Sequence, residues 1–417
     1  MGNDIAITGV GCLTPYGRGP EPLYEGVIAG RDMVGSISRF DASDYASDLA
    51  GQVPDGLAEE SVSPRVRKRI DRFTHLALAA ARDAMADAGL NIDTNVDGDR
   101  VGVTIGNVLG GWEFAERELR TLWTQGPRAV SPYQATAWFP TAAQGNITIQ
   151  NAIRGPSRTF VVDRASGAYA LIDAVRMLRH GHADVVLVGG VEAPISPYGW
   201  LCLQTSGLVA RHSPSSERSA VYRPYDYRHR GSTFGEGAGF LILERGEFAR
   251  SRGATIHGWA QGWGRTTDGY MPYYTVEPTG KVYAQAITDA LHRADVGTDD
   301  LGVAFTHGSG IPMEDVTELR AIRIALGDQA DQVPITVPKP LFGHLLGGAF
   351  TIDAILALWS LKNQTIPPIA HLNEPAPGLP AEVDLVQQTR ATTAGRTAAL
   401  VTARGLGGAN AAVVLHE

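Results

Sequence analysis

Covalent chemistry needs an activated nucleophile, and this sequence offers few. Only two cysteines occur in 417 residues, Cys12 and Cys202. They are too few for a disulfide framework and lie at no metal-like spacing, so a reducing cytoplasm is the expected setting and a bound metal is not expected. Cys202 stands in Trp200-Leu201-Cys202-Leu203, apolar surroundings that keep a thiol protonated and buried, and it reads as a core residue. Ser166 has no Gly-x-Ser-x-Gly elbow around it and reads as a hydrogen bonder at a helix start. No strand-like run is followed by Gly-x-Gly-x-x-Gly opening a helix, which disfavours a dinucleotide-dependent dehydrogenase. Arg223, Asp226 and Glu236 read as loop-fixing ion pairs and hydrogen bonds. His307, Lys339 and His344 are titratable, and a satisfied buried network accounts for them as well as a catalytic one does.

The elements that would position these side chains alternate. Apolar runs rich in β-branched residues at Ile5 to Val10, Val101 to Ile105, Val185 to Val188, Val303 to Phe305 and Ala398 to Val401 read as strands buried on both faces, with helical patterns between them. That predicts an α/β chain with mainly parallel sheets, and the N-terminus reads as a strand start. The halves also echo each other. Residues 81 to 90, Ala-Arg-Asp-Ala-Met-Ala-Asp-Ala-Gly-Leu, resemble 287 to 296, Ile-Thr-Asp-Ala-Leu-His-Arg-Ala-Asp-Val, and each is followed by a Val/Leu-Gly-Val strand at Val101 and Leu301. Further on, Ile172-Asp173-Ala174 with Leu178 is matched by Ile352-Asp353-Ala354 with Leu358. Preserved order across four features points to duplication of one α/β unit, with halves at 1–250 and 251–417. Composition excludes other classes: 44% hydrophobic and 19% charged residues suit a globular chain, not a disordered or fibrous one. The net charge of -8 argues against nucleic acid, which demands a positive field, and leaves room for a local basic patch facing an acidic carrier protein. No apolar run approaches the length that spans a bilayer, and no membrane partner is expected.

Five stretches carry a more specific signal: the corner Val161 to Gly167; Arg223-Pro224-Tyr225-Asp226 leading to Gly235-Glu236-Gly237-Ala238-Gly239; His307-Gly308-Ser309-Gly310; Lys339 to His344; and Gly405-Leu406-Gly407-Gly408-Ala409-Asn410. In this order, across most of the chain, they resemble a β-ketoacyl synthase. The resemblance implies the thiolase-like fold, a five-layered α/β/α/β/α body with its site between the halves. It also implies a cysteine at the corner, at a helix N-terminus that favours thiolate and forms an oxyanion site. His307, His344 and Lys339 match the residues that decarboxylate the malonyl extender and stabilise the attacking enolate. The nucleophile does not match, because Arg164 stands where the family has cysteine. A guanidinium stays protonated and forms no thioester. A fixed cation at a helix N-terminus costs about 0.3–1 kcal/mol, so a carboxylate partner is expected, from Asp163 or from a neighbouring subunit. Leu406 replaces the family's gating phenylalanine, a smaller side chain that suits a relaxed gate loop. The catalytic set is therefore degenerate.

Within the family, the segment Gly110-Gly111-Trp112-Glu113-Phe114-Ala115-Glu116-Arg117-Glu118-Leu119, with Leu122-Trp123, Tyr133-Gln134 and Trp138-Phe139, resembles chain-length factors, the ketosynthase β-subunits of type II polyketide synthases. That resemblance implies a heterodimer with a catalytic ketosynthase α-subunit. No cofactor is implied beyond the phosphopantetheine arm of an acyl carrier protein, which carries the acyl chains. Trp112, Ala115 and Leu119, at i, i+3 and i+7 on a helix, are its expected tunnel lining. Two departures, arginine where these subunits carry glutamine and the retained His307, suggest a branch making reduced or polyene chains. The rival readings are a divergent homodimeric ketosynthase or acyltransferase using His307 and His344, and a purely structural pseudoenzyme partner.

Overall fold

A computed structural model describes residues 4–212 and 221–417. The strand start expected at the N-terminus falls partly on residues 1–3, outside the described residues. All five expected strands are present, as Ile5–Thr14, Val101–Gly106, Val185–Glu192, Leu301–Phe305 and Ala398–Gly405, each buried along its whole length. They belong to one 12-stranded sheet. Its first half runs Ser157–Phe160, Val101–Gly106, Val185–Glu192, Gly237–Arg245, Ile5–Thr14, and its second runs back as Gly258–Thr267, Ala409–His416, Ala398–Gly405, Leu301–Phe305, Pro334–Thr336. The outer strands are parallel, three in the first half and, with Asp384–Leu385 beyond Pro334–Thr336, four in the second, and the two inner ones of each half are antiparallel. The two half-sheets join where Ala6 pairs with Trp259 and Ile7 with Gly258.

The sheet is thus mixed and not mainly parallel. Ala398–Gly405 and Ala409–His416 are separated by Leu406-Gly407-Gly408 alone. A turn that short joins only antiparallel strands, since a parallel pair needs a crossover of a dozen or more residues.

Helices complete five layers. The echoed segments form Arg72–Asp87 and Lys281–Ala294 on the outer faces, while Ser166–Arg179 and Ala349–Lys362 lie between the half-sheets. Ala349–Lys362 is buried from Ala349 to Leu361, as a helix apolar on all sides must be. Matched glycines repeat the symmetry at atomic detail. A Cβ on Gly9 or Gly11 would meet the Ala84 or Ala80 carbonyl at 2.2 Å, and one on Gly262 or Gly264 would meet Ala290 or Ala286 at 2.0 or 1.9 Å. Both outer helices therefore press directly on strand backbone, where only glycine fits. No helix among the described residues is long and apolar enough to cross a membrane.

Candidate functional site

The four residues of the degenerate set converge from loops at the ends of parallel strands. Arg164 follows the edge strand Ser157–Phe160 and precedes the helix Ser166–Arg179. His307 follows Leu301–Phe305, and Lys339 follows Pro334–Thr336. His344 precedes the Ala349–Lys362 helix. All four are buried. Ligands and reacting groups collect at such strand ends in α/β sheets.

At the corner, Asp163 takes a left-handed backbone with φ 47°. Ser166 Oγ donates to the Asp163 carbonyl at 2.6 Å and accepts from Val162 N at 2.8 Å. Ser166 is thereby committed to the turn, as expected of a helix-start hydrogen bonder. The Arg164 guanidinium donates two hydrogen bonds to Glu314, both 2.9 Å, and its Nε donates to Asp163 at 3.1 Å. The expected carboxylate is present, but its source needs correcting. Asp163 contributes one bond, while the bidentate partner is Glu314 of the same chain, in the first turn of the helix Pro312–Leu326. Sequence separation of 150 residues hid this pairing, although Glu314 in Ile311-Pro312-Met313-Glu314, just beyond His307-Gly308-Ser309-Gly310, was a usable signal. Burial alone would raise the Glu314 carboxyl; Arg164 outweighs it and holds the group below its usual value.

Beside this pair the rings of His307 and His344 meet edge to face, with centroids 5.1 Å apart. The Nδ1 of His344 accepts from Leu346 N at 3.1 Å, which leaves its proton on Nε2 in the neutral ring. Neither Nε2 has a hydrogen-bond partner, and His307 Nε2 lies 3.7 Å from Glu314, beyond hydrogen-bond reach. Burial, reinforced by Arg164 and Lys339, pushes both imidazoles well below their usual pKa, so both are neutral at physiological pH. Lys339 Nζ donates to the Thr306 carbonyl at 2.8 Å and pairs with Asp353. Burial lifts Asp353 to about 6 in spite of that lysine. Glu318 fixes the His307 loop by accepting from His307 N and Gly308 N at 2.8 Å each. The site brings together two neutral imidazoles, the Lys339 amine and the Arg164–Glu314 pair, with no cysteine at the corner.

The other sequence expectations divide. Glu236 accepts from Arg39, Arg72 and Val53 N, and Asp226 from Asn373 N and Glu374 N, as loop-fixing groups do. Cys202 is half-buried on the helix Pro197–Thr205 and not a core residue, because its helix turns Leu203 and Trp200 inward instead. Trp112, Ala115 and Leu119 share the helix Trp112–Gln125 but not one environment. Trp112 lies tilted against Tyr198 with ring centroids 5.0 Å apart, Ala115 is buried, and Leu119 is 40% exposed. The face runs from packed to open. Leu406 is half-buried against the cluster that contains Trp200 and Phe234, and its amide donates to Asp163 at 2.7 Å. The loop at Leu406 is pinned at that point, where the smaller side chain suggested slackness. Arg404, at the root of the same loop, was not singled out. It is buried against Asp268 and Thr317.

Models of the β-ketoacyl synthase N-terminal and C-terminal domains match residues 2–249 and 257–373. The chain is 38% identical over 416 residues to the actinorhodin polyketide putative β-ketoacyl synthase 2 of Streptomyces coelicolor, covering 99% of this chain and 98% of the relative. It is 36% identical over the same length to the tetracenomycin polyketide synthase ketoacyl synthase beta subunit of Streptomyces glaucescens, with the same coverage. Among solved structures, the ishigamide ketosynthase/chain length factor superposes with a TM-score of 0.89 at 27% identity, over 100% of this chain and 99% of that one.

Proposed function

The chain belongs to the β-ketoacyl synthase family, and on that premise we propose that it is a non-condensing chain-length factor, paired with a catalytic ketosynthase α-subunit. One observation carries this reading: the corner holds Arg164, fully buried and clamped on Glu314, where condensation needs a thiolate. A guanidinium in a bidentate ion pair neither attacks a thioester nor leaves space for one.

Its role is then to shape the interface tunnel that sets polyketide chain length, for a reduced or polyene product. Trp112, Ala115 and Leu119 line that tunnel and Leu406 sits at the gate. Acyl chains arrive on the phosphopantetheine arm of an acyl carrier protein, and the complex works in the cytoplasm. The halves divide at 250/251. Support for a partner comes from the surface. Leu119, Trp123, Trp138, Phe139, Ile149 and Val161 are all exposed, on adjoining elements around the sheet edge at Ser157–Phe160. Large apolar side chains gathered at an unpaired sheet edge mark an interface.

Co-expression with the ketosynthase followed by a thiol-directed acyl label tests the reading: label is expected on the partner, and label on this chain overturns it. Ala115→Trp should shorten the product made by the complex, as read by mass spectrometry; unchanged length rejects the tunnel assignment. The free Nε2 atoms of His307 and His344 favour a second reading, a homodimeric ketosynthase or acyltransferase working without a covalent intermediate. Decarboxylation of malonyl-carrier protein by the chain purified alone would establish that instead.

A further inference from the structure

Asp163 holds the corner and the gate loop with one oxygen. Its Oδ2 accepts from Arg164 Nε at 3.1 Å and from the Leu406 amide at 2.7 Å. Arg164 is fixed in turn by its two bonds to Glu314, so the chain Glu314, Arg164, Asp163, Leu406 runs unbroken from the second half, across the corner, and back to a loop of the second half. The roots of that loop are anchored separately. Arg404 pairs with Asp268, Asn410 donates to the same carboxylate at 2.7 Å, and the Gly408 carbonyl accepts from Asp268 N at 2.8 Å. At the tip, the Leu406 side chain is seated in the cluster of Trp200 and Phe234, and its amide is held by Asp163. The fit leaves no slack, since a Cβ on Gly405 would lie 2.6 Å from the Val162 carbonyl and one on Gly407 would lie 3.0 Å from the Tyr273 ring. Asp163 keeps its left-handed φ of 47°, a conformation that persists in a non-glycine residue only where its surroundings over-determine it.

We propose that Glu314, Arg164 and Asp163 form a latch that locks the gate loop Gly405–Gly408 shut over the corner, closing this chain's own half-site to acyl chains. Arg164 is then a positioning residue, whose charge orients Asp163 toward Leu406. The purpose of the latch rests on the reading of the chain as a non-condensing subunit: a corner that keeps His307 and His344 beside it is sealed, and acyl traffic is left to the partner. Its existence does not depend on that reading.

The test uses the chain co-expressed with its ketosynthase. Asp163→Gly tolerates the positive φ and removes the shared acceptor. Hydrogen exchange at the Leu406 amide should then accelerate at least about tenfold, the loss of a hydrogen bond to a charged group, with the Leu301–Phe305 strand unchanged. Asp163→Asn keeps one acceptor oxygen and should restore most of the protection. A second measurement covers a failure of the glycine variant to fold alone. In Arg164→Gln with Glu314→Gln, which removes the guanidinium that orients Asp163 and strands no carboxylate at Glu314, exchange at the Leu406 amide should accelerate several-fold. Exchange at Leu406 that is unchanged by the loss of Asp163, or unchanged by the loss of the Arg164–Glu314 pair, overturns the latch. Product length in Ala115→Trp reports on the subunit's role alone, so the two ideas fail separately.

Discussion

At the scale of single residues, the site is governed by how buried charge is balanced. Arg164 and Glu314 stabilise the fold only together, because an ion taken from water needs its partner. Arg164→Ala strands Glu314 in the interior and should lower unfolding free energy by about 3–5 kcal/mol, measured by denaturant titration. Arg164→Met with Glu314→Gln should lose far less. A small loss in the single variant would mean that water reaches Glu314. His307 and His344 give the site a pH signature. Both are held neutral in the fold, while the unfolded chain takes up protons at an imidazole pKa of about 6.5. Below that pH the unfolded state binds more protons, so stability falls as pH drops and is fully present above it. In His307→Asn/His344→Asn, where the amide oxygen mimics Nδ1 and keeps the Leu346 N contact, the decline between pH 6.5 and 5 should flatten. An unchanged slope assigns the acid sensitivity elsewhere.

At the scale of elements, the helix Trp112–Gln125 owes its start to a residue outside it. Its N-cap, Gly111, has no side chain, and a Cβ there would meet the Ala137 carbonyl at 2.2 Å. Asp71 supplies the missing acceptor: it caps its own helix at Phe73 N, 3.0 Å, and reaches Phe114 N in the first turn of Trp112–Gln125 at 2.7 Å. Asp71→Ala removes two caps at once and should cost about 2 kcal/mol, near 1 for each; Asp71→Asn should retain part of this. A loss confined to one cap's worth would show that the two helices are not coupled. The helices and strands themselves were legible because their signals are local, in β-branched runs and Ala-rich periodic segments. The double cap was not, since nothing in Gly110-Gly111-Trp112 announces an acceptor from Asp71. Strand direction was also misjudged: the apolar runs read as parallel strands, and only the brevity of Leu406-Gly407-Gly408 forces an antiparallel pair.

At the scale of the molecule, the first half-sheet ends on an open edge. The Pro156 and Phe160 carbonyls are taken by Val103 N and Asn107 N, at 3.0 and 3.2 Å. By the two-residue alternation of a strand, Ser157 and Thr159 turn their amides outward. Thr159→Pro removes an outward donor and leaves the inner ladder intact. Co-purification with the ketosynthase should fail while the chain stays folded by circular dichroism; undiminished pairing would place the interface elsewhere. The sequence by itself determined the duplicated α/β unit, the thiolase-like architecture and the absence of a corner cysteine. Each is written in contiguous residues or in a repeat of them. Only the tertiary structure decided that Glu314 neutralises Arg164, that Asp163 ties the corner to the loop at Leu406, and that Leu119 opens outward while Ala115 is packed. Those depend on side chains brought together from positions far apart, through close contacts that the order of residues along the chain does not encode locally.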